Sequence, residues 1–216
     1  MAIPPHIIRQ LERIEPDAQF SGGLPQVVSS SGKTYFVKTG SPRERKQYVG
    51  EAESLRAMAL AAPGLVPSLL AFGFVDENGE EIDDDDDDAA GGGSGRPYFI
   101  SEFKDLSPLT ERSGAVLGKR LATEMHDYAS PDGRRYGFGV PTFCGATRLR
   151  NGWYETWEGC FDVLIGDLLA ALEKRGGRYS ELYRRGQEVR QRRVPSPPPP
   201  LAVSSSHQLI SFFLLD

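Results

Sequence analysis

At 216 residues the chain has room for one large domain or two small ones, and its 39% hydrophobic content lies below the usual globular share. The net charge of −5 comes from basic and acidic residues interspersed along the chain, which argues against a nucleic-acid-binding surface. No run is long enough for a membrane span, residues 1–10 lack the apolar core of a secretion signal, and Cys144 and Cys160 have no metal-ligand spacing. A soluble cytoplasmic protein with reduced thiols is the expectation.

Ile7, Ile8, Leu11 and Ile14 recur at helical spacing and predict a short helix over residues 5–14, ended by Pro16-Asp17. Residues 26–38 read as a hairpin with Ser30-Ser31-Gly32-Lys33 at its tip, entered from Phe20-Ser21-Gly22-Gly23-Leu24. The Gly22-Gly23 pair leaves two readings open, an ordinary turn or a loop whose backbone approaches phosphate. Ser31-Gly32-Lys33-Thr34 imitates the end of a phosphate-binding P-loop. That motif needs glycine where position 27 is valine, and it precedes a helix, not a strand. The P-loop reading fails on both counts.

The strand Tyr35-Phe36-Val37 runs into Lys38, and Thr39-Gly40-Ser41-Pro42 leads on to a helical pattern over residues 45–60. Tyr48, Leu55, Met58 and Ala59 form its apolar stripe, and it carries Glu51 and Glu53. A strand-end lysine facing a carboxylate from the next helix is the core of a kinase-type nucleotide site: the ammonium binds phosphate and the carboxylate holds the lysine. Ordinary surface ion pairs share the same sequence signature.

Pro63-Gly64 stops this helix, and residues 66–75 read as a turn and a strand. Residues 76–95 form an insert with aspartate at every position from 83 to 88, followed by Gly91-Gly92-Gly93-Ser94-Gly95. Like-charge repulsion and glycine predict a disordered loop, and the alternating ligands of a calcium site are missing. Residues 97–103 return as a strand and 104–112 form a polar linker. A helix is predicted over 115–128, with Val116, Leu117, Leu121, Met125 and Tyr128 on one face and His126 as a packed core residue. Residues 130–157 read as a long packed loop, 157–175 and 180–193 as helices, and the Pro- and Ser-rich residues 194–216 as a disordered tail. This order predicts an α+β fold: an antiparallel sheet with a packed helix in residues 1–103, then a partial helical lobe over 104–193.

These stretches resemble the fructosamine-3-kinase (ketosamine-3-kinase, protein-ribulosamine 3-kinase) family, relatives of the aminoglycoside phosphotransferases with a protein-kinase-like fold. The resemblance rests on YFVK (35–38), GEAESLRAM (50–58), VPSLLAFG (66–73), YFISEF (98–103), LATEMHDYAS (121–130) and the block 136–161. The last is the most specific, because generic kinases lack it. The resemblance implies ATP and Mg2+ as cofactors and a glycated protein, carrying ketosamine-lysine, as substrate. Lys38 would contact the ATP phosphates and Glu51 would hold it; Glu53 lies on a different helix face. Ser101, Glu102 and Phe103 would be the hinge whose backbone binds adenine. Asn151, Trp153 and Trp157 would shape the sugar side of the cleft, although packing in the core accounts for them equally.

The family's catalytic loop, His-Gly-Asp-Leu-Trp-x-Gly-Asn, and its later metal-binding aspartate have no counterpart in these residues. The chain departs from the family pattern after about residue 190 and reads as truncated before this loop. Ile165-Gly166-Asp167-Leu168 echoes it without the histidine or asparagine and in a helix, so Asp167 reads as a helix-surface carboxylate and Cys144 as inert. No catalytic residue is assigned, and phosphoryl transfer by this chain alone is expected to be negligible. The alternative is a non-catalytic remnant that binds nucleotide or serves as an interaction module, its prolines 197–200 docking on a proline-recognising domain.

Overall fold

The computed structural model describes residues 2–83, 95–128 and 135–192. Most of the aspartate and glycine run, the stretch after Tyr128 and the Pro/Ser-rich tail lie outside the described residues. The chain divides into two compact units, the first ending at Thr110 and the second beginning at Glu111.

The first unit is built on a six-stranded antiparallel sheet in the order β1-β2-β3-β6-β4-β5. Its strands are β1 (Phe20–Gly23), β2 (Gln26–Ser29), β3 (Thr34–Thr39), β4 (Leu69–Val75), β5 (Glu81–Ile82) and β6 (Arg96–Glu102). The β2–β3 hairpin and its tip lie where the alternation predicts. The strand β1 was not expected, because Gly22 and Gly23 remove half of its apolar–polar signal. Side-chain alternation sorts the sheet into two faces. On one face Val27, Tyr35, Val37, Tyr98 and Ile100 pack under helix α1 (Pro5–Ile14), whose Ile7 and Leu11 are fully buried. On the other, Phe36, Phe72 and Phe99 pack under helix α2 (Arg45–Ala61) through Tyr48, Ala52 and Leu55. Strand β6 is buried on both faces, as a central strand must be.

Polar contacts fasten the C-terminal half of α1. The Tyr35 hydroxyl donates to Glu15 at 2.6 Å, just past the C-terminus of the helix. Toward the other side of the sheet, Gln10, Arg13 and Tyr98 all donate to the Glu81 carboxylate. The beginning of the acidic insert is therefore ordered, which corrects the expectation of a loop disordered from residue 76. Asp76 accepts the backbone N–H groups of Asn78 and Glu80 at 2.9 and 2.8 Å, and the turn so made feeds β5 back along β4.

In the second unit, α3 (Glu111–Arg120) continues through one π-helical turn, Leu121–Met125. Of the five residues expected on its apolar face only Met125 is buried, and His126 is exposed in the turn beyond it rather than packed. The wide turn offsets the face, and the helix ends before residue 126 can share it. The expected loop instead forms two small hairpin pairings. Strand β7 (Tyr136–Phe138) pairs with β10 (Gly152–Tyr154), and β8 (Thr142–Cys144) with β9 (Thr147–Leu149). Strands this short show too few alternations to be read from sequence. A β-carbon on Gly137 would lie 1.6 Å from the Gly152 carbonyl oxygen, so the β7–β10 pairing requires glycine there. Helix α4 (Trp157–Lys174), N-capped by Thr156, buries Cys160 and Leu164 against Leu149, Tyr136 and Phe138. Arg190 of helix α5 (Ser180–Gln191) grips Asp162 of α4 with two bonds of 2.7 Å.

Leu11→Ala should lower the unfolding free energy of the first unit by about 2–5 kcal/mol in a denaturant titration, the cost of a cavity in a close-packed core. A loss under about 1 kcal/mol would mean that α1 is not docked on the sheet. The Ser31 and Tyr35 hydroxyls hold the Glu15 carboxyl down at about 2, against burial, from an ordinary 4.5. A carboxyl depressed in the folded state contributes stability above about pH 4.5 and loses it as pH falls through about 2. Glu15→Gln should therefore flatten the acid limb of the stability curve in that window; an unchanged limb would remove Glu15 as its cause.

Candidate functional site

Strand β3 places Tyr35 and Val37 against α1, so period 2 places Lys38 on the face covered by α2. The Lys38 ammonium forms a hydrogen-bonded ion pair with the Glu51 carboxylate of α2. Glu53, two residues along the helix, instead pairs with Arg56. The structure thus brings together the lysine and the glutamate that the sequence singled out, and separates the glutamate that it set aside. The Lys38 side chain is 29% exposed, so it is not sealed in the core.

The ammonium also lies 4.6 Å from the centroid of the Tyr48 ring and 5.3 Å from that of Phe99. Neither ring was recognised as part of a site from sequence, where Tyr48 is only one position of an apolar stripe and Phe99 one position of a strand. The signal that could have found them is the register: Phe99 is directly opposite Lys38 in the β3–β6 ladder. Burial, and then the neighbouring Glu44 and Glu51 carboxylates, push the Tyr48 phenol up to about 12, so it stays neutral. Glu44, ahead of α2, accepts the Ser41 backbone N–H and hydroxyl at 2.7 and 2.8 Å. These bonds hold its carboxyl below the usual range and cap the short 3-10 turn Pro42–Glu44 that leads into α2.

The residues expected as a hinge close the central strand. Ser101 is buried between β3 and β4. The Glu102 N–H donates to the Ser68 carbonyl at 2.9 Å, and the Phe103 N–H to the Thr34 carbonyl at 3.4 Å. The Glu102 side chain is bound to Lys104 at 2.6 Å. The first of these amides is fully used within the sheet, whereas the second holds only a long, weak bond.

In the second unit Asn151 is buried with φ of 55°, its amide nitrogen donating to the Val140 carbonyl and the Thr142 hydroxyl at 2.7 and 2.8 Å. Trp157, partly buried, packs against Tyr136 and Phe161 at the edge of the core of that unit. Trp153 is half-buried on β10. Asp167 is not a surface carboxylate as expected: its side chain is 9% exposed. It accepts the Arg150 backbone N–H at 2.9 Å and the Arg150 guanidinium at 2.7 Å. With both oxygens engaged in mid-helix, Asp167 cannot take a proton from a substrate hydroxyl. Burial pushes the Cys160 thiol up to about 11, leaving it unreactive.

Among the described residues no helix is long and apolar enough to cross a membrane. A comparison with the curated proteins returns no match. Among solved structures, a candidate fructosamine-3-kinase from Haemophilus somnus 129PT matches with a TM-score of 0.58 at 18% sequence identity. The match covers 88% of this chain and 62% of that one, so the chain spans less than two thirds of the length of that relative. At this identity the likeness establishes a shared α+β, kinase-like fold. The family model for fructosamine kinase matches residues 17–201, and the chain belongs to that family.

Proposed function

We propose that Lys38 and Glu51 form the phosphate side of an ATP site, and that the chain serves an ATP-dependent phosphotransferase of the ketosamine 3-kinase type. Its substrate would be the sugar 3-hydroxyl of ribulosamine or fructosamine on the lysines of a glycated protein, a reaction that leads to deglycation. The observation that carries the reading is the partly exposed Lys38 side chain, its ammonium paired with Glu51 on the α2 face of the sheet. An ammonium so held presents a fixed positive charge to a triphosphate without having to be ordered on binding. Family membership supports the reaction class. Adenine recognition along residues 101–103 would draw on the Phe103 N–H, since its 3.4 Å bond to Thr34 costs little to exchange.

Among the described residues no group of three or more His, Cys, Asp or Glu side chains is placed to hold a metal. These residues do not fit a magnesium site made by protein alone, and any such ion would be held chiefly by the phosphates it accompanies. Asp167, with both carboxylate oxygens bound to Arg150, is not available as the base for a substrate hydroxyl.

Calorimetry with ATP and magnesium should show binding by the 216-residue chain. Lys38→Ala should weaken it by about tenfold or more, which is about 1.4 kcal/mol. Absence of binding by the unsubstituted chain, or equal binding by the variant, would overturn the assignment of Lys38. With a ribulosamine or fructosamine substrate, phosphoryl transfer by this chain should lie several orders of magnitude below ordinary kinase rates. Detectable ATP-dependent phosphorylation would refute that second expectation while leaving the first intact.

A further inference from the structure

We propose that Tyr48 is a positioning residue for Lys38, and that Gly40 is glycine in order to let the Tyr48 ring into that position. The inference rests on the nucleotide-site reading only for its functional consequence; the geometry stands without it. An ion pair between half-exposed partners fixes an ammonium weakly, because water competes for both charges. The Lys38 ammonium has a second attraction, to the electron-rich faces of two rings. Phe99 lies beneath it on the central strand and Tyr48 beside it on α2. Tyr48 is 6% exposed, so the interaction is shielded on the ring side from competing water. Tyr48 and Glu51 also lie three residues apart on the same helix, so one element supplies both partners of the ammonium.

Gly40 shows what this arrangement requires of the backbone. Its N–H extends the β3–β6 ladder by bonding the Pro97 carbonyl at 2.9 Å. Its φ lies outside the left-handed region, so torsion does not demand glycine here. Space does. A β-carbon at position 40 would stand 2.8 Å from Tyr48 Cε2 and 3.0 Å from both Tyr48 Cζ and Pro97 Cγ. The Pro97 ring belongs to the fully buried core and cannot retreat, so the Tyr48 ring would have to move off Lys38.

The test measures Lys38 directly and nucleotide binding separately, on the 216-residue chain with its fold checked by circular dichroism. Acetylation of Lys38 by limiting acetic anhydride is followed by mass spectrometry, with Lys33 at the exposed hairpin tip as internal reference. Tyr48→Leu should speed Lys38 acetylation about threefold or more, and weaken ATP–magnesium binding by about three- to tenfold. Tyr48→Phe, which keeps the ring, should restore both values. Gly40→Ala should reproduce the effects of Tyr48→Leu with the tyrosine still present, and decides the matter if the leucine variant does not fold. Unchanged Lys38 labelling in Gly40→Ala and in any folded Tyr48→Leu protein would overturn the inference, whatever the nucleotide does. Faster labelling in a protein that binds no ATP would sustain the role of Tyr48 and overturn the nucleotide reading instead.

Discussion

The register of β3 against β6 is the constraint on which the first unit depends. Tyr35 and Val37 belong to the α1 face, and Phe36 and Lys38 to the α2 face. A slip of one residue would exchange the two sets, burying an ammonium among Ile7, Leu11 and Val75 and turning Tyr35 away from Glu15. Charge burial of that kind costs far more than the pair with Glu51 returns. The position of Lys38 is therefore not set by its ion pair. It is set by the apolar residues on both sides of β3 and β6, each of which contributes on the order of 1.5–3 kcal/mol when fully buried. Glu51 then meets the lysine because α2 must lie across the same face.

How much of this was legible in the sequence follows from how many residues carry each signal. Helices α1 and α2 and the β2–β3 hairpin were found close to their observed bounds, since each has several apolar positions in phase. The pairing of Lys38 with Glu51 was readable because it needs only a strand end and the following helix. The rings around Lys38 were not, because Tyr48 and Phe99 come from elements whose approach is settled by packing, not by spacing along the chain. Gly40 was legible only as part of the loop before α2; the ring of Tyr48 beside it was not. In the second unit, strands β7 to β10 have three residues each, too short for alternation to show.

Asp167 and Arg150 illustrate a different limit. Sequence can place a carboxylate in a helix, as it did here, but cannot say which backbone amide arrives beside it. The Arg150 N–H and guanidinium both arrive, from the segment between β9 and β10. A carboxylate so supplied with donors ties the hairpin segment to α4. Asn151 continues that fastening one residue later, its positive φ aiming the side chain inward to Val140 and Thr142. The aromatic, glycine-rich block most specific to the family is thus largely occupied with building its own interior.

The turn that begins the acidic insert has a consequence for how this family member can vary. Strands β5 and β6 pair with opposite edges of β4 and run in the same direction, with Glu81 and Arg96 both opposite Val75. Both ends of the connection between them are pinned, one by β5 with Glu81 tied to α1, the other by the central strand. Where both ends of a connection are fixed, length is a weak lever on stability, each doubling costing only about 0.6 kcal/mol in loop-closure entropy. Folding stability therefore depends only weakly on the number of residues that join β5 to β6. The same indifference makes that connection a place to graft a reporter or an affinity peptide without disturbing the sheet.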